Sequence, residues 1–276
     1  MLRAIEMGAV SDSVPRESRG EEATEAVALV VPCFNEANRL DLSSFESALE
    51  SYSWLQLHFV DDGSKDDTAA ILAGFAERYP ARCILHRLTV NSGKAEAVRV
   101  GLNAAMRVAP ICGFWDADLA APFSEVPQLR HVLVRNRHIE WAWGIRLRSL
   151  GRTIERRELR HYLGRVFATA SSLLTGVRAY DTQCGAKLFR SSPLLAAVVS
   201  STFASRWIFD VEMLVRLREI TKGTNKNSMN LVYEHPLAVW QHKGGSKVAP
   251  TDFVRAFGEL VALRRRYGYM DERSGG

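Results

Sequence analysis

The sequence predicts an α/β fold in which a mainly parallel sheet is flanked by helices. Three observations carry this. Short apolar runs alternate with stretches of helical periodicity through the first half of the chain. The leading run is continuous and β-branched, as in a strand buried on both faces. Several of the runs end in polar loops, and intervening helices return the chain for right-handed crossovers.

Val27 to Val31 is the first strand and ends at Pro32-Cys33-Phe34-Asn35-Glu36. A helix follows with Leu42, Phe45 and Leu49 on one face. Leu55 to Val60 is the second strand and ends at Asp61-Asp62-Gly63-Ser64. The next helix aligns Ile71, Leu72, Phe75 and Tyr79 until Pro80 stops it. Cys83 to Leu88 is a third strand. Asn91-Ser92-Gly93-Lys94 then opens a helix with Val98, Leu102 and Ala105 aligned. Ile111 to Trp115 is a fourth strand and runs into Asp116-Ala117-Asp118. A helix begins near Ser124, and Ile139 to Trp143 is a fifth strand.

Beyond Gly144 the pattern changes. Seven arginines (146, 148, 152, 156, 157, 160 and 165) fall within residues 146–165. Ile154, Leu159, Leu163, Val166 and Phe167 repeat there at helical spacing. The polar loop Tyr180 to Gly185 precedes Lys187-Leu188-Phe189, and a helix includes Phe209 to Leu214. Leu231 to Trp240 is strand-like, Gly244-Gly245-Ser246-Lys247 is a loop, and an amphipathic helix runs from about Asp252 to Tyr267. That helix ends in Arg264-Arg265-Arg266.

The chain has 276 residues, 47% of them hydrophobic, enough for a substantial core. A net charge of +5 fits nucleic acid, an anionic membrane or a phosphorylated substrate. No nucleic-acid-binding module accompanies the basicity. The four cysteines (33, 83, 112 and 184) are scattered and form no zinc pattern; Cys33, Cys83 and Cys112 lie in or beside apolar runs and are expected as buried thiols, in a reducing compartment. His131 and His138 read as surface residues, and His242 as a loop residue near Lys247. No stretch approaches the roughly 18 apolar residues of a membrane span. Residues 1–24 lack a signal-peptide core and read as a disordered tail, residues 25–268 as one domain, and 269–276 as a second tail.

In an extended chain, residues two apart point the same way, so Asp116 and Asp118 share a face. Two such carboxylates attract a hard divalent cation, which commonly bridges to phosphate oxygens. Taken alone, the pair is better read as a polar turn after a strand. Asn35/Glu36, Asp61/Asp62, Asn91/Lys94 and Asp116/Asp118 all follow the C-terminal ends of strands, however. Open α/β sheets bind ligands at that edge.

Together these residues resemble glycosyltransferase family 2, of the Rossmann-like GT-A fold. The first motif is Val31-Pro32-Cys33-Phe34-Asn35-Glu36 and the second Val60-Asp61-Asp62-Gly63-Ser64. Asn91-Ser92-Gly93-Lys94 and Asp116-Ala117-Asp118 are the third and fourth. Asp181-Thr182-Gln183-Cys184-Gly185-Ala186-Lys187, Arg206-Trp207-Ile208-Phe209-Asp210-Val211-Glu212 and Gly245-Ser246-Lys247 narrow the resemblance to the dolichyl- or polyprenyl-phosphate glucosyltransferases.

The resemblance implies that Pro32, Phe34 and Glu36 line a nucleoside pocket and that Asp62 contacts the base. Lys94 and Ala117 belong to the same donor-binding set. Asp116 would contact the nucleotide or a metal-bound water, and Asp118 the metal, Mg2+ or Mn2+. Arg146 and Lys247 would face the diphosphate or an acceptor phosphate, and Asp210 the transferred sugar or acceptor. Residues 25–145 would then serve the nucleotide sugar, and 146–268 the acceptor. The chain departs from the family pattern at Ala120, where relatives often carry glutamine, and in lacking the spanning helices many relatives have.

The activity implied is inverting, metal-dependent transfer of glucose from UDP-glucose to a polyprenyl phosphate. A phosphate monoester, with a second pKa of about 6, is largely ionised at neutral pH and needs cations more than a base. A hydroxyl acceptor would require a base, for which Asp210 is the candidate. Another donor such as GDP-mannose, a hydroxyl acceptor, or a non-catalytic nucleotide-binding subunit are the alternatives. The arginine-rich segments read either as solvated helix faces or as surfaces for an anionic membrane. The expected location is cytoplasmic, peripheral at the membrane face, by direct contact or through a membrane-protein partner.

Overall fold

In a computed structural model, residues 25–154, 158–176, 179–224, 227–241, 243 and 250–268 are described. Lys247, Gly245, Ser246, His242, Arg156, Arg157 and both expected tails lie outside them.

The first half follows the sequence reading closely. Strands β1 (Val27–Cys33), β2 (Leu55–Asp61), β3 (Cys83–Arg87) and β4 (Ile111–Trp115) alternate with helices α1 (Leu42–Ser51), α2 (Thr68–Arg78) and α3 (Lys94–Ala105). Local chemistry explains the helix starts. The Asp41 side chain accepts from the Ser44 N–H at 3.2 Å and so satisfies a donor left open by the first turn of α1. A 3-10 turn at Phe123–Glu125 leads into α4 (Val126–Arg135), and β5 is Trp141–Ile145. The second half adds β6 (Thr153–Ile154), α5 (Glu158–Thr175), β7 (Ala186–Arg190), α6 (Pro193–Val198), α7 (Phe209–Thr221), β8 (Val232–Pro236), β9 (Val239–Trp240) and α8 (Pro250–Tyr267).

Seven strands form one sheet in the order β3-β2-β1-β4-β7-β5-β8. All are parallel except β7, which runs antiparallel to both β4 and β5. β6 and β9 form a separate parallel pair. The expected mainly parallel sheet is therefore present, with one reversed strand. Because β7 is reversed, its leading loop lies at the same edge as the trailing loops of the other six.

Side chains on β1 alternate between two cores. Val27, Leu29 and Val31 face α1, α2 and α4, whereas Ala28 and Val30 face α3 and the later helices. Each fully buried Leu or Val contributes about 1.5–3 kcal/mol. Gly101 lets α3 approach the sheet closely, since a Cβ there would fall 2.3 Å from a Val30 methyl. That approach brings Lys94, the first residue of α3, to the strand-end edge.

Three expectations need correction. The fifth strand starts at Trp141, because Ile139 is held in a turn by its N–H bond to the Asn136 carbonyl at 2.9 Å. Ile154 is in β6 rather than a helix, pairing with Trp240. Leu231 to Trp240 is not one strand: Leu237 donates to the Ile145 carbonyl at 3.0 Å, and the chain then leaves for β9. Cys33, Cys83 and Cys112 are buried free thiols, as expected, and Cys184 is buried as well.

No helix among the described residues is long and apolar enough to cross a membrane. The apolar stripe of α8 faces inward, with Ala256, Leu260 and Leu263 buried and Phe257 edge-on to Phe167 of α5. Arg264, Arg265 and Arg266 stay exposed.

Candidate functional site

The strand-end edge gathers most of the described candidate residues. After β1, Asn35 takes a left-handed φ of 51° and donates its N–H to Ser64 Oγ at 2.9 Å. The Glu36 N–H bonds Thr68 Oγ1 at 2.8 Å. The two loops are thereby joined, with Pro32, Phe34 and Glu36 half-buried beside them.

Asp62 follows β2 and is 2% exposed. Its carboxylate accepts from the Ser92 N–H (2.7 Å), the Gly93 N–H (2.8 Å) and Asn91 Nδ2 (2.9 Å). Burial nonetheless leaves its pKa above the ordinary carboxylate value. The geometry commits Asp62 to holding the loop that starts α3. Arg206 clasps the same loop from the far side, donating to the Ser92 carbonyl (3.0 Å) and Asn91 Oδ1 (2.9 Å). Gly93 fits under that guanidinium at φ 95°, where a side chain would collide with Arg206.

Held this way, Lys94 reaches Asp116, with Nζ 2.5 Å from Oδ1. The Asp116 N–H bonds the Gly185 carbonyl at 3.0 Å. Its carboxylate packs onto Gly185 so closely that a Cβ there would lie 1.9 Å from Oδ2. Burial works against the Asp116 charge, but Lys94, then Lys187 and Arg146, outweigh it and hold the carboxyl below its usual range.

Asp118 differs. Its Oδ1 accepts from the Ala120 N–H at 3.0 Å, and Oδ2 meets Arg39 only at 3.9 Å. Burial first, and the Asp116 charge second, push its carboxyl upward. Leu119 bends the chain between Asp118 and Ala120 with φ 51°. Ala117 and Ala120 are buried, and the Ala120 carbonyl accepts from the Gln241 N–H at 2.8 Å.

Two residues are engaged by partners the sequence did not reveal. Arg146 forms a two-pronged pair with Asp181 (Nε–Oδ2 2.6 Å, Nη2–Oδ1 2.7 Å) and lies over the Trp240 ring. Asp210, in the first turn of α7, is ion-paired to the fully buried Lys187. Burial pushes the Asp210 carboxyl up, while Lys187 and Lys94 pull it down in part. The sequence signal for Lys187 was a cation inside the otherwise apolar run Ala186 to Phe189. Asp181 sat in a quoted motif without a role.

The donor set suits a divalent cation. Asp118 is a partly buried carboxylate carrying a like-charged neighbour, and a cation relieves both penalties. The described residues hold no group of three or more His, Cys, Asp or Glu able to bind a metal. A cation held by Asp116 and Asp118 would take its remaining ligands from water and phosphate, as Mg2+ and Mn2+ chemistry allows.

Residues 28–195 match the family model described as Glycosyl transferase family 2. The chain is 31% identical over 247 residues to a dolichyl-phosphate beta-glucosyltransferase of Drosophila melanogaster, covering 81% of this chain and 69% of that one. The human protein of the same name is 29% identical over 266 residues, covering 90% and 77%. Among solved structures, glucosyl-3-phosphoglycerate synthase from Mycobacterium tuberculosis with Mn2+, UDP and glucosyl-3-phosphoglycerate has a TM-score of 0.61 at 21% identity, covering 96% and 88%. The same enzyme with Mn2+ and UDP-glucose has a TM-score of 0.63 at 20% identity, covering 91% and 82%.

Proposed function

The chain belongs to glycosyl transferase family 2 and is a glycosyltransferase, and on that premise we propose that it moves glucose from UDP-glucose to a polyprenyl phosphate. The observation that carries the reading is the alternation of charge at one sheet edge: Lys94 on Asp116, Lys187 on Asp210, with Asp118 the least compensated. Relatives named as dolichyl-phosphate beta-glucosyltransferases support the sugar and the lipid phosphate. A same-fold enzyme crystallised with Mn2+ and UDP-glucose supports the donor and the metal.

Asp118 and Asp116 would hold the Mg2+ or Mn2+ ion, which neutralises charge on the departing diphosphate. Lys94 keeps Asp116 ionised and fixed. Pro32, Phe34 and Glu36 would border the nucleoside, and Asp62 would act by holding the Asn91–Gly93 loop. An acceptor phosphate oxygen attacks the anomeric carbon, the bond to UDP breaks, and UDP leaves with the electron pair. The product is a β-linked lipid-phosphate sugar. The attacking oxygen is already ionised, so no proton needs to be removed.

Residues 25–145 would serve the donor, and 146–268 the acceptor. Exposed Arg264, Arg265 and Arg266 would favour a peripheral seat on an anionic membrane face. Purified protein with UDP-glucose, Mg2+ and polyprenyl phosphate should yield lipid-linked glucose. Transfer to a soluble hydroxyl acceptor, with no lipid product, would sink the reading.

A second reading uses a hydroxyl acceptor with Asp210 as base, favoured by burial raising that carboxyl above its usual range. Asp210→Asn separates the two: near-total loss of kcat fits a hydroxyl, and a modest loss fits a phosphate.

A further inference from the structure

β7 reads Ala186-Lys187-Leu188-Phe189-Arg190 and is buried over its first four residues. An aliphatic side chain is expected at the second position, because taking an ammonium out of water is costly unless it is fully paired. Lys187 is 0% exposed. Its Nζ lies 4.3 Å from the Trp143 ring centre and 5.1 Å from that of Phe114, positions that favour a cation. Each of its three donors has a partner. These are the Thr182 carbonyl at 2.9 Å, the Cys184 carbonyl at 2.7 Å and Oδ1 of Asp210. A lysine so enclosed has no surface with which to meet a ligand.

Those partners span the site. Asp210 stands on α7, in the half proposed to serve the acceptor. Thr182 and Cys184 belong to the loop whose next residue, Gly185, takes the Asp116 N–H and leaves room for the Asp116 carboxylate. One ammonium therefore ties the loop behind the metal-side carboxylate to the carboxylate opposite. The main-chain bonds of β7 to β4 continue as far as the Asp116 N–H to Gly185 carbonyl bond and do not reach Thr182 to Cys184, so they do not hold this loop by themselves.

We propose that Lys187 is the positioning residue of the site: it fixes the Thr182–Gly185 loop against Asp210, and through Gly185 it sets where the Asp116 carboxylate stands. It acts through these groups and does not touch substrate. The kinetic part of the test rests on the function proposed above, and the exchange part does not.

Lys187→Met alone strands a buried Asp210 charge and should fold poorly. Lys187→Met/Asp210→Asn removes both charges and is the informative variant; its reference is Asp210→Asn, whose amide oxygen still accepts from the Lys187 ammonium beside the Thr182 and Cys184 carbonyls. Hydrogen exchange on the full chain should show protection of the Asp116 amide falling about tenfold or more in the double variant, with amides of β1 and β2 unchanged. A general loss of packing would move all of them. Glucosyl transfer should fall about 100-fold below Asp210→Asn, the scale of a misplacement near 1 Å. Adding Gly185→Ala should cost less than about threefold more, because both changes displace the same carboxylate. Unchanged Asp116 protection in the folded double variant overturns the proposal, as does full additivity with Gly185→Ala. If the wild-type chain makes no lipid-linked glucose, the functional reading falls, and the exchange result decides the role of Lys187 by itself.

Discussion

Replacing Gly185 by alanine places a methyl group where the Asp116 carboxylate now lies. The added Cβ would sit 1.9 Å from Oδ2 and 2.1 Å from Cγ. Ordinary contact begins near 3.4 Å, so the carboxylate must retreat by the difference, about 1.5 Å. The 2.5 Å pair with Lys94 cannot survive such a shift unchanged. Misplacing a reacting group by about 1 Å costs on the order of 100-fold in rate. That corresponds to about 2.7 kcal/mol of transition-state stabilisation. The backbone itself is not strained by the change, because Gly185 is not among the described residues of positive φ. Gly74, inside α2, is the control: nothing lies within 4 Å of its added Cβ, and alanine there should stabilise the helix by up to about 1 kcal/mol. The assay is kcat/KM for glucosyl transfer, with a thermal melt for each variant. A folded Gly185→Ala enzyme within about twofold of wild type would refute the placement of Asp116.

Asp118→Asn should weaken Mn2+ binding in the presence of UDP by more than the ~10–100-fold that loss of a supporting outer contact brings. Calorimetry showing unaltered Mn2+ affinity would remove Asp118 as a ligand. Asp62→Ala leaves three donors of the Asn91–Gly93 loop without their acceptor. It should lower stability to urea by about 1–3 kcal/mol, and an unmoved midpoint contradicts that role. Burial, then the facing His86, pushes the His58 imidazole down from 6.5 to about 4. Between those values the unfolded chain binds the proton more readily, so stability is full above the unfolded pKa and falls as pH drops toward 4, by roughly 3 kcal/mol in all. Urea midpoints at about pH 7 and pH 5 should diverge in wild type and converge in His58→Leu, and an equal divergence in both would be inconsistent with the pair.

The strands from Val27 to Trp115 were legible because a buried parallel strand announces itself locally, by a continuous apolar run closed by polar residues. The same local rule placed Asp62, Lys94, Asp116 and Asp118 at one edge. It failed for β7, whose five residues and reversed direction depend on pairing with strands far away in the chain. It failed at Ile154, where an apolar residue at helical spacing was drawn into a two-residue bridge with Trp240. In the site, Arg146 was singled out correctly as following a strand, but its pairing with Asp181, 35 residues on, is a tertiary fact. Lys187 was passed over for the same reason. Only the folded chain shows that the ammonium is enclosed and that Asp210 faces it.

The reversed strand has a consequence for how this protein can change. β5 ends at the strand-end edge, and β7 begins there, so residues 146–185 leave and return at one rim of the sheet. Lengthening or shortening that excursion shifts the register of no strand pair in the main sheet. Mutation can therefore remodel one side of the strand-end edge while the sheet that carries Asp116 and Lys94 is inherited intact. If the proposed function holds, acceptor choice and donor chemistry become separately heritable traits of a single continuous sheet.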